Sequence, residues 1–422
     1  MAVFCGVGAC ARPEPRPLEP PVTSPVPPAT SEPAPAPEPE RLRLATFNVY
    51  ELSAAKLAEM DAAGAGVNEQ LRAAATIVQR VRPDVLVLQE VDLPEGAGED
   101  REALARHARE FEERYLGTGA DPIRYPYVFA APSNTGILTG LDLDGDGVVA
   151  TEADRGERRY GNDCFGYGTY PGQYATAVLS RFPLAAGEAR TFQKLRWIDL
   201  PGNHYPEGFF PAAARELLRL SSKSHWDLPV EVAGRRIHLL VSHPTPPAFD
   251  GPEDRNGRRN HDEILFWIRY LDGAPELYDD CGQRGGYGAK APFVILGDLN
   301  TAPLPPSRRA GEPIYDDQQA IEQLLEHPKV QDSGVACMSG GGMELGGERM
   351  GPPDFPERST AAFLGGMRVD YVLPSTDLRL VAGGVFWPAY ADDPAGYTLA
   401  DTASDHRLTW IEVELPPVDQ SR

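Results

Sequence analysis

From Arg41 onward, apolar and polar residues follow two rhythms, one repeating every second residue and one about every 3.6 residues. "RLRLATFNVY", starting at Arg41, alternates and turns β-branched and aromatic, which predicts a strand. "NEQLRAAATIVQRV" has helical spacing, with Asn68 as N-cap and Pro83 as a stop. "DVLVLQEV" is an uninterrupted apolar run of strand length, and "REALARHAREFEERYL" predicts an amphipathic helix. Further strands are expected in "QYATAVLSR", "RRIHLLVSH", "APFVILGD", "MRVDYVLP" and "RLTWIEVEL", with a helix "RNHDEILFWIRYL" ahead of the third of these. Helices and strands alternate early, while hairpin-like spacing follows later. That order predicts an α+β domain of two packed sheets with helices outside. Residues 133–170, 196–225 and 303–366 are Gly/Pro-rich and are expected as insertions.

The first forty residues keep neither rhythm. "MAVFCGVGAC" is apolar and ends in Val7-Gly8-Ala9-Cys10, similar to a bacterial lipobox, without the basic n-region and longer apolar core of a full signal peptide. Residues 11–40 hold 12 of the 42 prolines, the composition of an extended, solvated tether. The expected organisation is a lipobox-like or truncated signal segment (1–10), a disordered Pro-rich tether (11–40) and one folded domain (41–422). This points to an exported chain, secreted, periplasmic or at the cell surface, with Cys10 as a lipidated membrane tether. No stretch is long and apolar enough for a membrane-spanning helix.

Net charge is -22, of which the five Glu and two Arg of the first forty residues account for only -3. The folded part therefore repels polyanions at long range, which disfavours extended duplex nucleic acid without closing a local basic pocket to one phosphate. Cys5, Cys10, Cys164, Cys281 and Cys337 include no CxxC pair, which argues against a zinc ribbon or a thioredoxin-like site. Cys281 and Cys337 lie in loop-like sequence and are expected either as one disulfide of an exported protein or as free thiols.

Chemistry enters at the ends of the apolar strands. "TFNV" carries Asn48, "LVLQEV" carries Gln89 and Glu90, and "LLVSH" ends in His243. "VILGDLN" ends in Asp298 and Asn300, which strand alternation would place on one face, although Asp, Asn and the following Pro303 also suit a turn. "RVDYVL" carries Asp370 within an apolar run, and "SDHR" supplies Asp405 and His406 before the last strand. A single buried acid is as often a paired structural group as a functional one. Six strand ends offering carboxylates, amides and imidazoles together predict a hard-oxygen metal site flanked by two titrating imidazoles.

The ordered set "TFNV", "LQEV", "SH", "GDLN", "VDYV" and "SDH", spread from Arg41 to about Leu415, resembles the endonuclease/exonuclease/phosphatase superfamily. "RLSSKSHWD" and "DGPEDRNGRRNHDE" further resemble a bacterial, exported subgroup. The resemblance implies a deoxyribonuclease I-like four-layer α/β/β/α sandwich of two mostly antiparallel sheets, and hydrolysis of a phosphomonoester or phosphodiester with Mg²⁺ or Mn²⁺. It implies Glu90 as principal metal ligand with Asn48 and Asp405 in support, and Asp298 as holder of the attacking water or of the metal. Asn300 would donate to phosphate, and Asp370 would orient His406 as general base. His243 would contact phosphate or protonate the leaving oxygen. A monomer acting on a small or phospholipid-derived ester is expected, with a nuclease and an inert surface-binding module as alternatives.

Secondary candidates are charges near these motifs. Lys223, His225, Arg255 and Arg259 could neutralise phosphate or simply be solvated loop charges. Asp142, Asp144 and Asp146 form a D-x-D-x-D-G pattern that favours Ca²⁺, though Ala153 occupies the twelfth position, leaving Glu152 or Asp154 to substitute. His107 and His327 sit in polar helical stretches and are expected at the surface.

Overall fold

The computed structural model describes residues 40–303, 319–345 and 355–417. The lipobox-like segment, the tether up to residue 39, and residues 304–318 and 346–354 of the expected insertion at 303–366 lie outside the described residues. All described residues belong to one unit, Pro39–Arg422. Among them, no helix is long and apolar enough to cross a membrane.

Strands β1 (Arg41–Leu52), β2 (Val85–Val91), β3 (Tyr127–Phe129), β4 (Ala175–Ser180), β10 (Arg379–Val385) and β11 (Thr409–Glu414) form a six-stranded sheet in the order β10-β11-β1-β2-β4-β3. The second sheet has the order β5-β6-β7-β8-β9, with β5 (Arg190–Thr191), β6 (Trp226–Val232), β7 (Arg235–Val241), β8 (Phe293–Asp298) and β9 (Asp370–Pro374). Pairing is antiparallel except for β1–β2 and β7–β8.

Period-two alternation sorts each strand between two cores. Leu44, Val87, Leu239, Val241, Val294, Leu296 and Val372 fill the space between the sheets. Their neighbours point outward, where Ala45, Phe47, Leu86 and Leu88 pack on the helix Glu69–Val81. On the other side Leu240, Ile295 and Tyr371 pack on the helix Arg255–Leu271 through Leu265, Phe266 and Trp267. The layers are therefore helix, sheet, sheet, helix, the deoxyribonuclease I-like sandwich. The helix Glu69–Val81 begins where the Asn68 side chain accepts from Leu71 N, and ends at left-handed Arg82 before Pro83.

Two expectations are corrected, and one open alternative is decided. The stretch 101–116 is broken into Arg101–Leu104, Arg106–Phe111 and a π-helical turn, Glu112–Leu116. His107 and His327 are buried, because His107 Nδ1 lies 2.7 Å from Asp92 O and His327 Nε2 lies 3.2 Å from Asp272 Oδ1. Cys281 is exposed and Cys337 buried against Ser333 and the Trp410 carbonyl, so these two are free thiols and form no disulfide.

Candidate active site

The topology explains why six separated motifs meet. Parallel pairing brings the carboxyl ends of β1 and β2 together, and likewise those of β7 and β8. Antiparallel β9 starts beside the end of β8, with Asp370 opposite Asp298, and β11 starts beside the end of β1. The inward-facing residues at this edge are polar instead of apolar. Asn48 bridges the sheets, its Nδ2 3.1 Å from both Glu90 Oε1 and Asp298 Oδ2.

Local backbone irregularities aim these groups. Both β1 and β2 shift register here, and Tyr50, Glu51 and Glu90 all take positive φ (48°, 62° and 60°). Such a bulge turns Glu90 out of the pleat and toward the site, a strained conformation held by its surroundings. Gln89, just before it, is locked sideways by donating to Thr46 Oγ1 at 2.8 Å. Tyr50 N donates to Asn48 Oδ1, so the amide faces the carboxylates with its NH₂ and offers them no oxygen.

Asp298 and Asn300 are related by a turn, not by strand alternation. Asn300 is left-handed (φ 56°), and its backbone N donates to Asp298 Oδ1 at 2.9 Å. Its Nδ2 donates to the Pro244 carbonyl at 3.1 Å, beside His243. The turn and the site are thus one structure. Gly297 permits it: a Cβ there would lie 1.9 Å from Ser242 O, on the chain that leads to His243.

Asp298 Oδ2 is the centre. Besides Asn48, it has His243 Nε2 at 3.4 Å and His406 Nε2 at 3.6 Å. His406 Nδ1 lies 3.0 Å from Asp370 Oδ2, so this imidazole is held between two buried carboxylates. Burial alone would lower the His406 pKa, but Asp370 and Asp298 overcome it and raise it to about 10. His243 is pushed well below its usual value by burial, then by Lys223 and His406, and its buried Nδ1 has no hydrogen-bond partner. Burial raises Asp298 to about 6 against the pull of His406, and raises Glu90 against its bond to Asn48. Asp405 is exposed at the rim, acting on Glu90 and His406 through its charge.

Of the four expected phosphate neutralisers, the structure brings only Lys223 to this cluster. Its buried ammonium donates to the Pro244 carbonyl at 3.4 Å and feels the charges of Glu263, Asp298 and Glu90. His225 is a core residue, its Nε2 2.8 Å from the Glu263 carbonyl and its ring against Phe266 and Trp267. Arg259 donates to the carbonyls of Leu220, Phe165 and Arg219, and Arg255 pairs with Glu253. These charges organise long loops, a use that sequence spacing does not reveal. In the Asp142–Asp144–Asp146 cluster, the carboxylates accept from Gly145, Gly147, Asp146 and Val148 N. Neither proposed twelfth-position acid joins them, since Glu152 pairs with Arg155 and Asp154 accepts from Thr151 N.

Sequence reasoning missed the residues that hold the site from behind. Glu263 accepts from Ser222 N at 2.7 Å and Thr245 N at 2.6 Å, and Asn260 Nδ2 donates to the Thr245 and Leu299 carbonyls. Ser404 Oγ donates to Asn48 O and accepts from His406 N. The signal was present as "RNHDE", polar residues on the buried face of a helix.

Glu90, Asp298, Asp370 and Asp405 crowd one cleft with Glu51 and Asp92 close behind, a surplus of hard oxygen donors without a thiolate. This donor set fits a divalent cation such as Mg²⁺ or Mn²⁺. An oxygen-rich cluster beside a carboxylate-held imidazole, at the edge of an α/β/β/α sandwich, is a candidate site for metal-assisted hydrolysis. A family profile described as "Endonuclease/Exonuclease/phosphatase family" matches residues 45–406, and the chain belongs to that family. Its members generally hydrolyse phosphoester bonds. Comparison with curated proteins gave no match. Among solved structures, the chain is similar to an endonuclease/exonuclease/phosphatase of Beutenbergia cavernae, at 18% identity over 90% of this chain and 73% of that one, TM-score 0.45. A Leptotrichia buccalis family protein shares 14% identity over 89% and 100% of the two chains, TM-score 0.44. TDP2 from C. elegans shares 14% over 89% and 75%, TM-score 0.39.

Proposed function

We propose that this chain hydrolyses a phosphoester of a small or phospholipid-derived molecule, by attack of water in a divalent-cation site. The observation that carries the reading is the convergence of Asn48, His243 and His406 on Asp298 Oδ2. Glu90 and Asp298 would hold the cation, which supplies charge neutralisation at the phosphoryl group. Asp298, raised toward neutrality by burial, orients the water and takes its proton. His406, kept protonated by Asp370, donates to the phosphoryl oxygens, so it serves as a charged donor and not as the expected base. Asn300 turns its remaining amide hydrogen to the same oxygens, and His243, held neutral by burial, Lys223 and His406, hydrogen-bonds to the leaving oxygen, which takes its proton from water.

A net charge of -22 and a catalytic cluster buried in its cleft favour a compact substrate over a long polyanion. Residues 1–40 are read as an export and tether segment bearing a lipidated Cys10. The test is turnover of DNA, RNA, sphingomyelin, inositol phosphates and nitrophenyl phosphate esters, each with and without Mg²⁺. Cation-dependent release from the small esters or the phospholipid supports the reading. Turnover of nucleic acid alone would replace it with a nuclease.

A further inference from the structure

A second convergence of ligating side chains lies on the helix Arg255–Leu271, away from the catalytic cluster. Its members are His261 and Asp262 from the helix and His204 from the preceding long loop. Asp262 is fully buried and His261 nearly so. Both imidazoles present Nδ1 to the same carboxylate oxygen: His204 Nδ1 is 2.8 Å and His261 Nδ1 is 3.2 Å from Asp262 Oδ1. The three ligating atoms lie within 4.8 Å of one another. The rings meet edge to face, centroids 4.6 Å apart at 84°, so they converge instead of stacking.

We propose that His204, His261 and Asp262 form a second metal site, for a first-row transition dication of the Zn²⁺ type. A dication with bonds of about 2.0–2.1 Å spaces its ligand atoms about 2.9–3.4 Å apart, and the two nitrogen–oxygen separations fall in or beside that range. Two imidazoles and one carboxylate are the borderline-soft donor set that prefers Zn²⁺ to Mg²⁺, opposite in character to the oxygen-rich catalytic cleft. The other carboxylate oxygen, Oδ2, is fixed by Trp197 Nε1 and His204 N, each at 2.6 Å. Such outer partners orient a ligating carboxylate. Against burial, the hydrogen bonds from the His204 and His261 side chains, then from His204 N and Trp197, hold the Asp262 carboxyl below its usual pKa. His261 also lines a cavity of about 100 Å³ with Asn260, Asp254 and Thr301. In the loaded state each neutral imidazole would offer its Nδ1 lone pair and carry its ring proton on Nε2. The same helix carries Asn260 and Glu263, so a cation here would pin the long loop to the support of the catalytic turns.

The competing account is a metal-free hydrogen-bonded hub, and the test separates the two. Full-length protein is stripped with chelator, dialysed against Zn²⁺ in excess Mg²⁺, and its metal content measured for wild type, His204→Asn, His261→Asn and Glu90→Gln. Asparagine can still donate to Asp262 from the Nδ1 position but is a poor zinc ligand. The expected result is one Zn²⁺ per chain in wild type and Glu90→Gln, lost in both histidine variants. Equal zinc in all four proteins, or zinc lost only in Glu90→Gln, would overturn the site. Should the histidine variants not fold, wild type still decides: no zinc retained against excess Mg²⁺ leaves only the hub. Visible absorption of Co²⁺-loaded wild type, absent from His261→Asn, is the spectroscopic counterpart.

Discussion

Asp298 and Asp370 stand opposite one another on the last rung of the β8–β9 ladder, two buried carboxylates reconciled by the imidazole of His406 between them. That relationship couples stability to catalysis. A cationic His406, bonded to one acid and beside the other, is their counter-ion in a dry site.

His406→Ala should therefore act twice. Turnover should fall on the order of 10²–10⁴-fold on every substrate. Leaving two buried carboxylates uncompensated should destabilise the fold by about 3–5 kcal/mol. Adding Mg²⁺ should restore much of the melting temperature without restoring turnover. Unchanged melting without cation would remove His406 as the counter-ion.

Glu90→Gln should abolish activity while leaving the fold intact, because its charge faces the cleft and not either core. The clearest readout is calorimetric: wild type should gain thermal stability with Mg²⁺ or Mn²⁺, and the variant should gain far less. Activity surviving at saturating cation would transfer the ligand role to another carboxylate.

Glu263→Gln probes the support from behind. Its carboxylate accepts from Ser222 and Thr245 backbone N–H groups, and an amide NH₂ turned toward either would be a buried clash of donors. A loss of about 2–4 kcal/mol is expected from disrupting a buried charged acceptor. Equilibrium urea unfolding measures it, and stability within about 0.5 kcal/mol of wild type would contradict the anchoring role.

His225 makes the fold acid-sensitive. Burial holds its pKa down at about 4 in the folded chain, against an unfolded value near 6.5. Between those values the unfolded chain binds the extra proton, so this contribution is complete above about pH 6.5 and is lost as pH falls toward 4. The loss is at most about 3 kcal/mol. Unfolding free energies across that window should fall less steeply in His225→Gln, which keeps a donor near the Glu263 carbonyl but cannot titrate. Identical slopes would assign the acid sensitivity elsewhere.

Freedom from a Cys281–Cys337 bond is tested simply. Cys281 should react promptly with a thiol reagent in the folded protein, Cys337 only on unfolding, and reductant should leave the melting temperature unchanged.

The strands that carry chemistry were legible because they are buried on both sides, which leaves long apolar runs ending in polar residues. β6 was not, since Pro229 sits in its middle. The structure shows why it is tolerated: the Pro229 carbonyl accepts from Ala185 on the side away from β7, so the missing N–H removes no bond from the β6–β7 ladder. β10 hid behind its glycines, Gly383 and Gly384, and the helix Pro394–Ala403 behind weak formers such as Gly396, Thr398 and Thr402. Motif order located Glu90, Asp298, Asp370 and His406, yet spacing could not show that Glu90 requires a bulge or that Asn300 is placed by a turn. Arg255, Arg259 and His225 read as either binding or solvated loop charges, because sequence does not distinguish these from a cation holding loop carbonyls.

Gly297 does no chemistry, yet it closes a route of mutational drift. With the Ser242 carbonyl 1.9 Å from where a Cβ would stand, even alanine must push the end of β7 aside, and His243 travels with it. The smallest possible side chain at 297 should thus be as disabling as deleting a catalytic group. The surrounding loops carry no such restriction, but this position admits only glycine for as long as the two strand ends must touch.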